Sequence, residues 1–204
     1  MYVPKLYREE DRAEILAFLK RNDFPALITF DGQGPVAAHL PVEVVERGGG
    51  LVIYGHMARA NPQWNTFGAQ EALLIFQGPH TYISARWYNH VNVPTWNYMI
   101  VHVYGTLREV QGDELYALLS RLVERHEPDS SYRLETLPHD FVEKEMKGVA
   151  GFAVDVTRVE AAWKLSQNRN DEDHARVIGE LEKRDDEYSH ELAQAMRKQR
   201  ARSE

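Results

Sequence analysis

The sequence predicts a small antiparallel β-barrel, mainly β with flanking helices, and three observations predict it. Six or more β-rich stretches are punctuated by turn residues, among them Asp31-Gly32-Gln33-Gly34 and the segment Arg47 to Gly50. The helical stretches are few and stand apart, so strands do not alternate with helices as βαβ units require. No phosphate-binding motif of a parallel-sheet fold occurs. Gly48-Gly49-Gly50 is a hairpin turn with no helix after it, and no Walker pattern is present.

Composition bounds the reading. A chain of 204 residues with 43% hydrophobic content can bury one good core, as a single domain or a domain with an appendage. Cysteine is absent, which removes disulfides, thiolate chemistry and sulfur-based metal sites. The opening MYVPKLYREEDR lacks the apolar core of a signal peptide, and no later run is long enough to span a bilayer, so a cytoplasmic protein without a membrane partner is expected. A net charge of -7 opposes extensive nonspecific binding to nucleic acid. The tail MRKQRARSE is the one dense basic stretch, readable as a solvated terminus or as a local patch.

The elements follow in order. Tyr2 to Tyr7 reads as extended, and Glu10 to Arg21 as a helix with an apolar stripe of Ile15, Leu16 and Leu19, ended by Asn22, Asp23 and Pro25. Pro25 to Phe30, Pro35 to Val45 and Leu51 to Gly55 read as strands. Gly55 to Phe67 is too polar and too broken by Asn61-Pro62 for a strand, which leaves a loop leading into a short helix. Ala72 to Gln77 and His80 to Ala85 are expected as separate strands about Gly78-Pro79. Met99 to Val110 is the longest candidate, apolar on both faces, which suits a strand covered on both sides by the fold and a partner subunit. Gly105 within it marks a bulge or barrel corner. Asp113 is expected to cap a helix to His126 on Leu115, Leu118, Leu119 and Leu122. Pro138 starts a short helix closed by Lys147-Gly148, Val149 to Val156 is a strand, and Val159 to Trp163 a turn. Asp171 is expected to cap a helix through Leu181, and a last helix runs from Glu187 to Lys198.

Four segments carry more polar side chains than a fold needs: His39 to Pro41, His56 to Trp64, Ser84 to Asn97, and Lys164 to Asn170. Lys164, Ser166, Gln167, Asn168 and Arg169 combine cations and neutral donors, the inventory for a phosphate and the polar edge of a heterocycle; a solvated loop with an Asx turn accounts for them equally well. Arg59 and Asn61, after Gly55-His56, can cradle an anion. His39 and His56 end strands and either face one barrel mouth or bond backbone. A metal shared with His80, His90 or His102 is disfavoured, because no tight HxxxH pattern exists. Trp64, Trp87 and Trp96 suit either a core or a planar ring. Ser84 and Ser166 lack a nucleophile elbow, and the acidic runs Glu9-Glu10-Asp11 and Asp185-Asp186-Glu187 read as helix starts, so no catalytic residue is assigned.

Six blocks, HLPV, GHMARANPQW, FQGPHTYISARWY, NVPTWNY, HVYG and KLSQNRN, resemble in order the PaiB-like family of FMN-binding transcriptional regulators. The family's namesake is a bacterial negative regulator of protease synthesis and sporulation, and the resemblance runs from MYVPK to beyond Gln167. It implies the FMN-binding split β-barrel, related to pyridoxamine-phosphate oxidases and flavin reductases, over residues 1–170, with 171–204 a helical appendage. It also implies a homodimer holding flavin nucleotide at the subunit interface. The implied FMN site comprises His39, His56, Arg59, Asn61, Gln63, Ser84, Arg86, Trp87, Trp96, Asn97, Lys164, Ser166, Gln167, Asn168 and Arg169. In that picture Arg59, Lys164 and Arg169 serve the phosphate, while Ser84, Asn97, Gln167 and Asn168 meet flavin edges or order the loops. Three functions remain open: an FMN-binding repressor, a small FMN-dependent oxidoreductase, and a cofactor-free binding protein on the same barrel. DNA as a partner has no support from charge or motif, since only Arg197, Lys198, Arg200 and Arg202 on the last helix offer cations to phosphates.

Overall fold

The computed structural model describes residues 1–202. A 3-10 turn at Lys5–Tyr7 and a two-residue strand β1 (Arg8–Glu9) precede helix α1 (Arg12–Arg21). Then come β2 (Ala26–Phe30), β3 (Pro35–His39), β4 (Val42–Arg47), β5 (Gly50–Ala58) and a 3-10 turn at Pro62–Thr66. β6 (Glu71–Ile83), a 3-10 turn at Ala85–Trp87 and β7 (Thr95–Val110) follow. α2 (Gly112–His126), a 3-10 turn at Leu134–Thr136, α3 (His139–Lys147), β8 (Val149–Lys164), α4 (Asp171–Glu182) and α5 (Glu187–Ala201) complete the described chain. The strands form one sheet ordered β3-β2-β6-β7-β8-β5-β4, with β1 added to β8. No described helix is long and apolar enough to cross a membrane.

The chain divides into two compact units. The first holds Met1–Phe18, Gln77–His102 and the stretch from Glu160 on; the second holds Leu19–Phe76 and Val103–Val159. Strands β6, β7 and β8 are long enough to give one segment to each.

In the second unit, β4 and β5 form a hairpin running from Val42↔Gly55 to Arg47↔Gly50, and β5 continues onto β8 from Val52↔Asp155 to Ala58↔Val149. α2 lays Leu115, Leu118 and Leu122 on Val52, Tyr54, Val110 and Ala153. Fully burying one such leucine stabilises by about 1.5–3 kcal/mol. Asp113 lies inside the first turn with Glu114, and Gln111 is the residue before the helix, so the expected Asp113 cap is replaced by a favourable dipole interaction. The expected strand Pro35 to Val45 breaks at Leu40-Pro41. β3 then pairs with β2 and β4 with β5, as the missing donor of Pro41 permits.

In the first unit, Phe18 packs on Trp163 with ring centroids 4.8 Å apart. Gly78 lets that ring in, because a Cβ there would meet Phe18 Cε2 at 2.5 Å. This contact explains why β6 runs unbroken through Gly78-Pro79, where two strands were expected: the glycine serves close packing instead of a turn, and proline's φ is compatible with extended backbone. The expected turn at Val159 to Trp163 is likewise strand, held by β1 through Arg8↔Ala162 and Glu9↔Ala161. α4 is capped by Asn170, whose Oδ1 accepts from Asp173 N at 2.8 Å, one residue before the expected Asp171.

Candidate functional site

In the first unit, two polar segments fold around structural tasks and leave Arg86, Trp96 and Asn168 exposed. Ser84 starts the 3-10 turn at Ala85–Trp87, its Oγ accepting from Arg86 N at 3.3 Å. Arg86 is exposed. Trp96 is 53% exposed and lies among His80 (6.4 Å) and Tyr82 (6.3 Å); Tyr188 from α5 reaches His80 at 5.1 Å. Trp87 carries the Arg184 guanidinium 5.7 Å above its ring, and that arginine donates to Thr81 Oγ1 at 2.7 Å.

Asn97 is fully buried. Its Nδ2 donates to Ser166 Oγ at 3.0 Å, and Ser166 Oγ lies 3.2 Å from Asn97 Oδ1, so the two side chains pair reciprocally. Ser166 adopts φ 61°, the left-handed region, and the buried pair holds it there. Gln167 closes the same loop on itself, accepting from Leu165 N at 2.7 Å and donating to Trp163 O at 2.5 Å. Asn97, Ser166 and Gln167 therefore order the loop. Asn168 is exposed beside them. Lys164 donates to Thr95 Oγ1 at 2.5 Å, and its pKa is pushed down by burial first and by the Arg169 guanidinium second. Arg169 lies 4.7 Å over the ring of Tyr88, whose buried hydroxyl has no hydrogen-bond partner among the described residues. Lys164 and Arg169 are thus two cations close enough for one to depress the pKa of the other, an arrangement that an anion would stabilise.

The second unit holds the other predicted residues. Arg59 Nη1 donates to Glu109 Oε1 at 2.7 Å and its guanidinium stacks on Trp64 at 4.6 Å; that bond holds the Glu109 carboxyl below its ordinary range. Asn61 caps the following turn by accepting from Gln63 N at 3.0 Å. Gln63 is buried and donates to Leu27 O at 3.1 Å, Thr29 Oγ1 at 3.2 Å and Val36 O at 3.3 Å. The polarity of GHMARANPQW thus serves, in part, to lock its own loop to β2 and β3. His39 is exposed and stacks on Phe24 at 6.3 Å. His56 lines an apolar cavity of about 600 Å³ beside α2 and α3. Burial pushes its pKa down, and its Nδ1 is buried without a hydrogen-bond partner among the described residues.

Sequence reasoning missed the buried Asp173. Its Oδ1 accepts from Asn89 N at 2.9 Å and its Oδ2 lies 3.1 Å from His90 Nδ1, tying the Ser84–Asn97 segment to α4. In the sequence it is one more acid in the first turn of a helix, and only its partners distinguish it. Tyr82 and Tyr188 beside Trp96 were also missed; period two places Tyr82 on the His80 face, whereas Tyr188 arrives by tertiary packing alone.

Comparison with known proteins places the chain. A family model described as "Putative FMN-binding domain" matches residues 1–158. The chain belongs to that FMN-binding domain family. It is 39% identical over 199 residues to "Protease synthase and sporulation protein PAI 2" of Bacillus subtilis (strain 168), covering 96% of each chain. Among solved structures, the flavocytochrome Anf3 from Azotobacter vinelandii superposes with a TM-score of 0.64 at 17% identity, covering 85% of this chain and 78% of that one. The FAD and heme binding protein from Mycobacterium smegmatis gives a TM-score of 0.63 at 17% identity, covering 83% and 79%. These similarities show the flavin-binding split-barrel fold with flanking helices.

FMN-family chemistry asks for cations at a phosphate, donors along a sugar alcohol and a flat apolar wall. The first unit carries side chains of each kind: the cations Lys164, Arg169 and Arg86, the exposed amide of Asn168 and the exposed ring of Trp96. Bound there, FMN would supply its redox-active ring. In the second unit Arg59, Asn61 and Gln63 already have partners within the chain.

Proposed function

We propose that this protein is a homodimeric, FMN-binding negative regulator of gene expression, with Lys164, Arg169 and Arg86 facing the phosphate and Trp87 and Trp96 facing the ring. The observation that carries the reading is the neighbouring cation pair Lys164 and Arg169, within a chain of the FMN-binding domain family. The regulatory part is supported by near full-length similarity to a protein named for protease synthase and sporulation. Dimerisation is supported by β7, where Val101 is buried while Tyr98, Ile100 and His102 on the opposite face are half-buried, leaving apolar surface for a second copy.

The C-terminal cations do not read DNA in this proposal. Arg197 pairs with Glu182 (2.6 Å), Lys198 with Glu14 (2.7 Å), Arg200 with Asp171, and Arg202 with Glu9 (3.0 Å) and Asp11 (3.3 Å). Each is already neutralised within its own unit, so control of expression runs through a bound ligand or a protein partner.

Equilibrium titration with FMN, followed by flavin fluorescence, tests the site. The Arg169→Ala variant is expected to lose about 1.5–3 kcal/mol of binding, the worth of a hydrogen bond to a charged group. An unchanged affinity removes Arg169 from the phosphate. Oxidation of reduced nicotinamide that requires added FMN would move the assignment to a small oxidoreductase, and absence of any FMN binding would move it to a cofactor-free binding protein.

A further inference from the structure

The apolar cavity lies wholly within the second unit, walled by Leu119, Leu122 and Val123 of α2 and by Phe141 and Met146 of α3, with His56 of β5 at its side. Its volume of about 600 Å³ falls within the range of small-molecule sites, which span about 300–1,000 Å³. The carboxylates that line it are Glu127 and Glu145, both exposed, with the exposed His126 beside Glu127, and no lysine or arginine is among its described lining residues. A phosphorylated or carboxylate ligand is therefore disfavoured here, which separates this cavity chemically from the cation-rich loop at Lys164–Arg169. His56 adds a second constraint. Burial keeps its imidazole uncharged near neutral pH, so it brings no positive charge and keeps one ring nitrogen as an acceptor. An apolar body thus has walls to cover, and a cationic donor has two carboxylates and a neutral imidazole to meet.

We propose that this cavity binds a small amphiphilic amine, an aliphatic or aromatic body ending in a protonated nitrogen. It is a second ligand site, independent of flavin, on a protein whose regulatory reading calls for an effector. The apolar part covers Leu119, Leu122 and Phe141, and the ammonium sits toward Glu127 and Glu145.

The test uses the full chain, the neutral dye phenylnaphthylamine, and octylamine, octanol and octanoate as competitors at concentrations too low to form micelles. Octylamine is expected to displace the dye at a concentration about tenfold lower than octanoate, with octanol between, because ammonium is attracted and carboxylate repelled. Replacing both acids (Glu127→Gln with Glu145→Gln), at exposed positions that leave the fold intact, is expected to keep dye binding and erase the octylamine preference. Leu119→Trp is expected to fill the cavity and remove binding of dye and amine together. Calorimetry is expected to show the same octylamine isotherm with and without FMN. Octanoate competing as well as octylamine, a preference that survives the double substitution, or displacement of octylamine by FMN would each overturn the proposal.

Discussion

Ser166 is the residue where backbone and side chain depend most on each other. Its φ of 61° is unfavourable for any residue with a Cβ, and the reciprocal bond with buried Asn97 holds it there. Ser166→Ala keeps the backbone penalty and strands the Asn97 amide, so a loss of about 1–3 kcal/mol is expected by urea denaturation. Ser166→Gly loses the same bond but relieves the left-handed backbone, so its loss is expected to be smaller. The histidines carry a second expectation. His56, His102 and His174 all have pKa values below the ordinary 6.5, with burial the first cause in each. The unfolded chain then binds protons that the folded chain refuses, so stability is fully present above 6.5 and falls as pH drops through that value toward the folded values. Asp31, Glu109, Glu114 and Asp186 are held below ordinary values of 3.8 or 4.5, so their contributions are lost at lower pH. Unfolding curves between about pH 7.5 and 5 therefore isolate the imidazoles, and His174→Asn is expected to flatten the slope. From the sequence, Ser166 and Asn97 were legible as polar and important. Their pairing was not, because 69 positions separate them.

At the scale of the element, two glycines with opposite surroundings give opposite expectations. A Cβ on Gly105 of β7 would collide with Asp155 O and lie 2.7 Å from Val154 Cγ1, so this glycine lets β7 approach the β8 backbone. Gly105→Ala is expected to cost about 1–3 kcal/mol or more, as overpacking does. Gly179 of α4 has no atom of another described element within 4 Å of its would-be Cβ, so Gly179→Ala is expected to stabilise by about 0.5–1 kcal/mol. Thermal or urea denaturation of the two variants side by side checks both signs. Helix periodicity was enough to find α2 and its buried leucines. Turn signals failed at Gly78-Pro79 and at Val159 to Trp163, where Phe18 and β1, distant in sequence, override the local turn preference.

For the whole molecule, the expected state in solution is a dimer joined through the half-buried face of β7. Ile100→Asp places a charge on that face and is expected to shift sedimentation velocity profiles toward monomer, with FMN affinity falling in parallel. A variant that turns monomeric yet binds FMN fully would place the flavin within one chain. The paired C-terminal cations and the net charge of -7 lead to a further expectation: promoter DNA is not retarded by the protein at physiological salt. Direct, salt-sensitive binding would show that those ion pairs open.

The sequence by itself determined the class of fold, most helices and strands, the family and the inventory of donors, because periodicity, turn chemistry and ordered motif blocks are local properties of the chain. Only the tertiary structure decided which of those donors remain available. Gln63 is engaged by Leu27, Thr29 and Val36, Asn97 by Ser166, and Arg59 by Glu109. Trp96, Arg86 and Asn168 stay exposed. The physical reason is that a buried polar group must find a partner wherever the fold brings one, and residue type alone does not reveal whether that partner is the protein or a ligand.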